Sequence, residues 1–500
     1  MRILTTDEIR KVEQNCFEHY ATEGELMFRA GNACFEKIKS EYEIKGKSFS
    51  VLCGNGKNAG DGFVIARLLW ACGAKAKIVL CDKQPEIAEP LQYFEQAVSS
   101  GVQVETFSEN SLKCDFIVDC MFGIGFHGEA RKPFDKIFES LQKSKAVIIS
   151  IDTPSGTDAA TGKVCKNCVK ADYTIAISTL KYCHVLPPAN DFCEKIDVVD
   201  IGIPQDCYDS CKVNTIDFDD VKQCFKKPDK NSNKGTFGHL LNLCSSYKMF
   251  GAGVIASQSA LRTGAGLVKL ALPKSAYPLA AAHLVQPIFN PVCENSEGTF
   301  CKNSIHDLKT DFDWADCIVL GCGIGNNDDT KEFVLKVLEN AKSPIIIDAD
   351  GINCIKSCIS IFKDIKAPVV LTPHPGEMAG LVSKSVTEIQ ENRIKTAKNF
   401  AKEYGVVLVL KGANTIVTDG DNVFVNTTGN PAMAMGGSGD MLSGMIGAFV
   451  SQGIAPFDAA KAAVYIHGLS GDRAAEKFSQ KGIVVSDMID QLAALMSHFE

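Results

Sequence analysis

One local pattern recurs along the chain: a short apolar run, a loop rich in glycine or carboxylates, and then a helix-like segment. In the first half, residues 49–53 lead into the glycine loop 54–62, and residues 146–151 lead into Asp152. In the second half, residues 316–325 again join an apolar run to a glycine loop. Strands that alternate with helices predict a parallel sheet with helices on both faces, so we expect an α/β fold throughout.

Two halves of the chain carry this pattern separately. At about 150 residues per domain, 500 residues predict two to four domains. Residues 204–234 are polar and charged, as expected of a linker. We therefore predict two domains, residues 1–215 and residues 225–500, and we find no sequence repeat between them.

Composition narrows the class of protein. Hydrophobic residues make up 45% and charged residues 22%, which is ordinary for a globular chain. The net charge of −8, without a long basic run, argues against nucleic acid and anionic membranes as partners. No stretch reaches the roughly 18 apolar residues of a membrane span, and the N-terminus lacks the apolar segment of a signal peptide. The 21 cysteines are scattered through apolar runs, so we expect a reduced, cytoplasmic protein.

Polar side chains cluster at the predicted strand ends of the first half. They are Asn58, Asp61, Asp119, Asp152 and Ser155. Because ligands of parallel sheets bind at the carboxyl ends of the strands, these side chains indicate one site. The oxygen atoms of Asn58, Asp119 and Ser155 suit a hard cation such as potassium, sodium or magnesium.

A glycine loop in residues 430–440 precedes an apolar helix in the second half. The free N–H groups and the positive dipole end of that helix predict an anion site. Asp440 lies beside this site and is a poor anion ligand, so we interpret it as a general base or as the helper of a metal. Lys411 follows another strand and could neutralise a phosphate, whereas Met433 and Met435 could line an adenine pocket.

Taken in order, these motifs resemble the family of bifunctional NAD(P)H-hydrate repair enzymes, in which an NAD(P)HX epimerase is fused to an ADP- or ATP-dependent NAD(P)HX dehydratase. NAD(P)HX is NADH or NADPH that has added water at C6 of the nicotinamide ring. The resemblance covers nearly the whole chain and rests on residues 54–62, 119–129, 152–156, 251–266, 321–325, 372–377, 411–415 and 436–444.

The resemblance implies both the folds and the reactions. A Rossmann-like three-layer domain would interconvert the R and S forms of the hydrate. A ribokinase-like α/β domain would then dehydrate the S form at the expense of ADP or ATP, giving NAD(P)H, AMP or ADP, and phosphate. The preference between the two nucleotides stays open. The family also implies a homo-oligomer of four or more subunits.

The resemblance further implies a role for individual residues, with Asp152 and Asp440 as the catalytic groups. In the first domain the hydrate would contact Lys57, Asn58, Ala59, Gly60, Asp61, Gly123, Ile124, Gly125, Phe126, His127, Gly128, Glu129 and Asp152. A potassium ion would be held by Asn58, Asp119 and Ser155. In the second domain the hydrate would contact Ala252, Gly325, His374, Pro375, Gly376, Glu377 and Asp440. The nucleotide, bound with magnesium, would contact Lys411, Gly412, Ala413, Asn414, Thr415, Asn430, Met433, Gly436, Gly437, Ser438 and Gly439.

Other functions use the same motifs. A ribokinase-type kinase of a small molecule, with an N-terminal nucleotide-binding module, would use the same glycine loop and release a stable phosphorylated product. A non-enzymatic first domain would only sense a nucleotide, and replacement of Asp152 would then leave catalysis unchanged. A dehydrogenase is a third alternative, for which the sequence supplies no clear catalytic histidine.

Overall fold

The computed structural model describes residues 1–208 and 211–499. It divides into two compact units between Val213 and Asn214. None of the described helices combines the length and the apolar run that a membrane span requires.

The first unit is built on a parallel sheet. Its strands are β1 (Ile3–Leu4), β2 (Ser48–Cys53), β3 (Lys75–Leu80), β4 (Gln103–Thr106), β5 (Phe116–Cys120), β6 (Val147–Ile151), β7 (Tyr173–Ile177), β8 (Leu180–Lys181) and β9 (Ile196–Val199). Its helices are α1 (Thr6–His19), α2 (Glu23–Glu41), α3 (Lys57–Ala71), α4 (Ala88–Ser99), α5 (Phe134–Leu141) and α6 (Tyr182–Val185). In the described part, seven strands form one sheet in the order β4-β3-β2-β5-β6-β7-β9, and β1 pairs with β8.

The order of these strands fixes where the first site lies. All neighbouring strands of the larger sheet run parallel, so their carboxyl ends share one edge. The helix α3 lies very close to two of the strands, because a Cβ at Gly62 would lie 2.8 Å from Cys120 Cβ and 3.1 Å from Cys53 Sγ. Glycine at this position therefore lets the first turns of α3 pack directly against the strands at the sheet edge.

The second unit is built on a larger, mixed sheet. Its strands are β10 (Val213–Thr215), β11 (His239–Leu243), β12 (Leu267–Pro273), β13 (Ile288–Val292), β14 (Cys317–Leu320), β15 (Ile345–Ile347), β16 (Val369–Leu371), β17 (Val407–Leu410), β18 (Ile416–Thr418) and β19 (Val423–Val425). Its helices are α7 (Phe218–Lys222), α8 (Phe250–Arg262), α9 (Tyr277–Ala281), α10 (Lys309–Trp314), α11 (Asp328–Asn340), α12 (Asp350–Ile355), α13 (Pro375–Val382), α14 (Val386–Glu391), α15 (Arg393–Tyr404), α16 (Ser438–Ser451), α17 (Pro456–Lys477) and α18 (Val485–Met496). The strand order in the described part is β10-β19-β18-β17-β16-β15-β14-β11-β12-β13.

Most of this sheet is parallel, from β13 through β17, while β18 is antiparallel to both β17 and β19. The α/β prediction is confirmed in both units. The apolar helix α16 lies in the core, with a run of buried residues from Met441 to Ser451. Its glycines permit close contact, because a Cβ at Gly444 would lie 2.2 Å from the carbonyl oxygen of Ala256 on α8.

We expect Gly444→Ala to destabilise the second unit by about 1–3 kcal/mol, since the added methyl group meets rigid backbone and forces two core helices apart. Urea unfolding of the full chain measures the effect. Gly251→Ala is the matched control, because Gly251 also lies in a helix but has nothing within 4 Å of an added Cβ. That control should be neutral or slightly stabilising. Equal destabilisation by both changes would contradict the packing argument.

Candidate active sites

A cavity of about 450 Å³ opens at the carboxyl edge of the first sheet. Its lining includes eight of the residues predicted to contact the hydrate: Lys57, Asn58, Asp61, Gly123, Ile124, Gly125, Phe126 and Asp152. The other predicted contacts of this unit lie outside that lining. Among them, Gly60 faces Met27, His127 Nδ1 lies 3.0 Å from Asp158 Oδ2, and Glu129 accepts a hydrogen bond from the backbone of Lys166. Ala59 is fully buried, and Gly128 has a left-handed φ of 74°.

Asp152 is the most constrained carboxylate of this cavity. It adopts a left-handed φ of 68°, a strained conformation for a residue other than glycine. Its Oδ1 accepts hydrogen bonds from the ammonium group of Lys181 and, at 3.2 Å, from the backbone N–H of Ile177. Lys181 is 1% exposed, so the pair is a buried ion pair within the cavity wall.

A buried histidine forms hydrogen bonds with the backbone of both residues of this ion pair. His184 Nε2 lies 2.9 Å from the carbonyl oxygen of Asp152, and its Nδ1 accepts the backbone N–H of Lys181 at 3.0 Å. Burial, reinforced by the charge of Lys181, lowers the pKa of His184 to about 3. The ring is therefore neutral, and it donates through Nε2. No local pattern marks Lys181 or His184 as a site residue, because a lysine at a strand end is usually surface charge.

Two other carboxyl groups of this cavity have a raised pKa. Burial raises the pKa of Asp61 well above its usual value, and the negative charges of Asp152 and Glu13 raise it further. Burial and Asp152 likewise raise the pKa of Glu13. The cavity thus combines a carboxylate held by a lysine with carboxyl groups whose pKa is raised, a combination suited to acid–base chemistry.

Of the three residues predicted to hold potassium, Asn58 lines this cavity, whereas Asp119 and Ser155 are fully buried. Asp119 is fully buried, and its carboxylate accepts hydrogen bonds from Ser155 Oγ at 2.6 Å and from Ser155 N at 2.9 Å. Asn58 Nδ2 donates to the carbonyl oxygens of Phe122 at 3.0 Å and Ile151 at 3.2 Å. Burial raises the pKa of Asp119, whereas the hydrogen bonds from Ser155 lower it by less. The donor set is made of oxygens around a buried carboxylate, which suits a hard cation.

The second site is organised around the start of α16. Gly437 precedes the helix with a φ of 91°, and Asp440 lies in its first turn. Burial, and then the charge of Asp348, raises the pKa of Asp440 to about 6. The carboxylate is therefore a stronger base than an exposed aspartate, while it stays ionised at neutral pH.

The buried Asp348 and the half-buried Lys411 form an ion pair beside this loop. Lys411 Nζ donates to Asp348 Oδ1 at 2.6 Å, and Ser443 Oγ donates to Asp348 Oδ2 at 2.9 Å. A Cβ at Gly439 would lie 3.3 Å from Lys411 Nζ and 3.4 Å from Asp348 Oδ2. Ligand atoms of Cys322, Asp348 and Asp440 also lie within 4.8 Å of one another, so the two carboxylates could hold a metal ion.

The turn before α13 brings another carboxyl group to the site. His374 caps α13, since its Nδ1 accepts the N–H groups of Gly376 at 3.0 Å and Glu377 at 3.3 Å, and Pro375 begins the helix. Burial raises the pKa of Glu377 to about 7, with a contribution from Asp348 and against the charge of Lys411. The predicted contact His374 is thus a helix cap whose ring remains 56% exposed.

Two family models match the chain on either side of the unit boundary. The model described as YjeF-related protein N-terminus matches residues 23–183, and the model described as NAD(P)H-hydrate dehydratase matches residues 240–493. The "Bifunctional NAD(P)H-hydrate repair enzyme Nnr" of Coxiella burnetii is 31% identical, with 98% of each chain aligned. The chain belongs to the family of bifunctional NAD(P)H-hydrate repair enzymes. The family prediction is therefore confirmed.

A second relative of this repair-enzyme family, from Thermofilum pendens, is 30% identical over 100% of this chain and 98% of its own. Among solved structures, the ADP/ATP-dependent NAD(P)H-hydrate dehydratase of Bacillus subtilis, co-crystallised with ATP and Mg²⁺, has a TM-score of 0.50. It is 28% identical and covers 58% of this chain and 99% of its own. A ribokinase-like superfamily protein of Enterococcus faecalis, 23% identical, has a TM-score of 0.51 and covers 57% of this chain and 96% of its own. The ribokinase-like fold of the second unit is confirmed.

The residues predicted to bind the nucleotide lie on two loops that contact each other. They are Lys411, Gly412, Ala413, Asn414 and Thr415 after β17, and Asn430, Met433, Gly436, Gly437, Ser438 and Gly439 before and within the first turn of α16. The approach of Gly439 to Lys411 joins the loops. Asn430 Nδ2 donates to Asp472 Oδ1 at 2.9 Å, which leaves its oxygen to accept the N–H of Ala432.

Gly325 and Ala252 are two further predicted hydrate contacts of the second unit. Gly325 donates its N–H to Asp350 Oδ2 at 2.9 Å. Ala252 lies on α8, where its Cβ would be 2.7 Å from a Cβ at Gly323. Asp348 and Ser443 are the residues of this region that sequence reasoning missed.

Proposed function

We propose that this chain repairs hydrated NADH and NADPH with two activities. The first unit interconverts the R and S forms at C6, and the second unit dehydrates the S form with ADP or ATP. The observation that carries the proposal is that each unit of a chain from this family holds its own carboxylate site, with the buried Asp152 in one and the half-buried Asp440 in the other.

Epimerisation follows from the chemistry of C6, which bears both the hydroxyl group and ring nitrogen N1. Asp152 takes the hydroxyl proton, the C6–N1 bond breaks with its electrons passing to N1, and N1 takes a proton. The resulting aldehyde closes from its other face by the reverse transfers. Lys181 holds the Asp152 carboxylate in place as its ion-pair partner, and Asp61, whose pKa is raised, is the candidate proton donor to N1.

Potassium fits the oxygen donors beneath this cavity. Asn58, Asp119 and Ser155 would hold it, and the buried carboxylate of Asp119 would balance its charge. A bound potassium ion would supply fixed positive charge at that end of the cavity. The removal of the hydroxyl proton is assigned to Asp152 alone.

Dehydration begins at Asp440. Its carboxylate takes the proton of the C6 hydroxyl group, whose oxygen attacks the terminal phosphoryl group of ADP or ATP and releases AMP or ADP. The N–H groups at the start of α16 bind the transferring phosphoryl oxygens. Phosphate then leaves C6 as a C5 proton is lost, which restores the ring double bond. Magnesium bound with the nucleotide would neutralise phosphate charge here, and Asp348 would be among its ligands.

The decisive test incubates the full chain with the separate R and S hydrates, with and without ADP or ATP, and follows the absorbance of reduced nicotinamide. We expect complete recovery from both forms when a nucleotide is present. Recovery of the S form alone would contradict the epimerase assignment. No recovery with either nucleotide, together with phosphorylation of a small-molecule alcohol, would favour the ribokinase-type kinase. The homo-oligomer of four or more subunits stays a prediction. Sedimentation of the full chain would measure the number of subunits.

The raised pKa of Asp440 predicts the pH dependence of dehydration. The base must be ionised, so activity should be full above pH 7 and lost as the pH falls through about 6. Below that value we expect kcat to fall roughly tenfold per pH unit at saturating hydrate and nucleotide. A profile that stays flat from pH 8 to below about 5 would contradict the role of Asp440 as the base.

A further inference from the structure

A buried arginine lies behind the loop at residues 411–415. Arg393 begins α15 and is 1% exposed. Its Nη1 donates to Gln390 Oε1 at 2.8 Å, and its Nη2 donates to the carbonyl oxygens of Leu410 and Lys411, each at 3.3 Å. Its Nε is buried without a hydrogen-bond partner. All its acceptors are neutral, and no carboxylate in the described part of the chain pairs with it.

The guanidinium group remains charged in this setting. Burial lowers the pKa of Arg393 to about 10, which still leaves it protonated at neutral pH. A buried charge without a counter-charge is unfavourable, unlike a charge held in an ion pair. An anionic group bound nearby would therefore offset the free-energy cost of burying this cation.

The nearest backbone belongs to the loop itself. A Cβ at Gly412 would lie 2.9 Å from Arg393 Nη1 and 3.2 Å from Nη2, and Gly412 has a left-handed φ of 131°. Glycine is required here on both counts. The guanidinium group thus points its two Nη atoms at the loop that follows β17.

The other cation of the loop is already neutralised. Lys411 pairs with the buried carboxylate of Asp348 at 2.6 Å. Arg393 is therefore the cation of this loop whose charge no described carboxylate balances. An anion bound on the open side of the loop would therefore be attracted more strongly by the charge of Arg393 than by the Lys411–Asp348 pair, whose two charges offset each other.

We infer that Arg393 is a positioning residue for the nucleotide: it holds the loop at residues 411–415 through two carbonyl oxygens and lends it the positive charge that attracts the nucleotide phosphates. This inference rests on the proposed nucleotide-dependent function. It assigns the charge to a buried residue that does not touch the phosphates.

The test separates charge from hydrogen bonding. Arg393→Gln keeps an amide donor but removes the charge, whereas Arg393→Lys keeps the charge with fewer donors. Calorimetry on the full chain measures the Kd of ADP, of ATP and of adenosine, which lacks phosphate. We expect Arg393→Gln to weaken ADP and ATP binding at least about tenfold and adenosine binding less than about twofold, while Arg393→Lys stays within about threefold of the native affinity.

Lys395→Gln is the matched control, since Lys395 lies one half-turn further along α15 and is exposed. Water screens that charge, so its removal should leave all three affinities unchanged. Equal weakening of ADP and adenosine by both Arg393 variants would overturn the inference in favour of a purely structural role. If Arg393→Gln does not fold, a loss of ADP affinity at least about tenfold in Arg393→Lys would overturn it. Native protein that binds no nucleotide would instead contradict the proposed function.

Discussion

Asp440→Asn should abolish nucleotide-dependent dehydration and leave epimerisation intact. The amide has the shape of the carboxylate but cannot accept the C6 hydroxyl proton, and loss of a general base costs about 10²–10⁴-fold in rate. Burial has raised the pKa of Asp440 to about 6, so removing its charge relieves rather than strains the buried site. Recovery of reduced nicotinamide from the S hydrate measures the first activity, and conversion of R to S measures the second.

Asp458→Asn provides a matched control for this change. Asp458 also lies in the first turn of a helix of the second unit, but its side chain is 46% exposed and pairs with Lys461. Its replacement should leave kcat unchanged. If Asp440→Asn lowers the affinity for nucleotide but not kcat, Asp440 binds a metal or phosphate-bound ion and is not the base.

The sequence predicted the position of Asp440 because the signal is local. A glycine loop that runs into an apolar helix fixes both the backbone and the first turn, and the structure has Gly437 with positive φ and Asp440 in that turn. The ion pair of Lys411 with Asp348 was not predictable in this way. Its partners lie 63 residues apart, so they meet only through the folding of the sheet.

The same reasoning explains the elements that the sequence missed. The antiparallel strands β18 (Ile416–Thr418) and β19 (Val423–Val425) have three residues each, too few for a periodic pattern to be read. The central parallel strands were found because they are largely buried apolar runs, as in Val147–Ile151. Buried charges such as Lys181 and Arg393 resemble surface residues in the sequence, since burial depends on tertiary contacts.

Asp152→Asn should abolish epimerisation, with a loss of about 10²–10⁴-fold, while dehydration of the S hydrate continues. Asparagine tolerates the left-handed φ of 68° at this position, so the backbone should be kept. The single change leaves Lys181 buried without its counter-charge, which should destabilise the first unit by about 3–5 kcal/mol. Lys181→Met should be destabilising for the converse reason, because it leaves a buried carboxylate alone.

The double variant Asp152→Asn/Lys181→Met separates catalysis from stability. It removes both charges of the buried pair, so most of the lost free energy of unfolding should return, because an apolar replacement of a buried ion pair is close to neutral. Activity should not return, since the base is still absent. Urea unfolding and the R-to-S conversion rate are measured on the same four proteins. Epimerisation by a stable double variant would show that Asp152 holds the cavity in shape and that another group, such as Asp61, takes the proton.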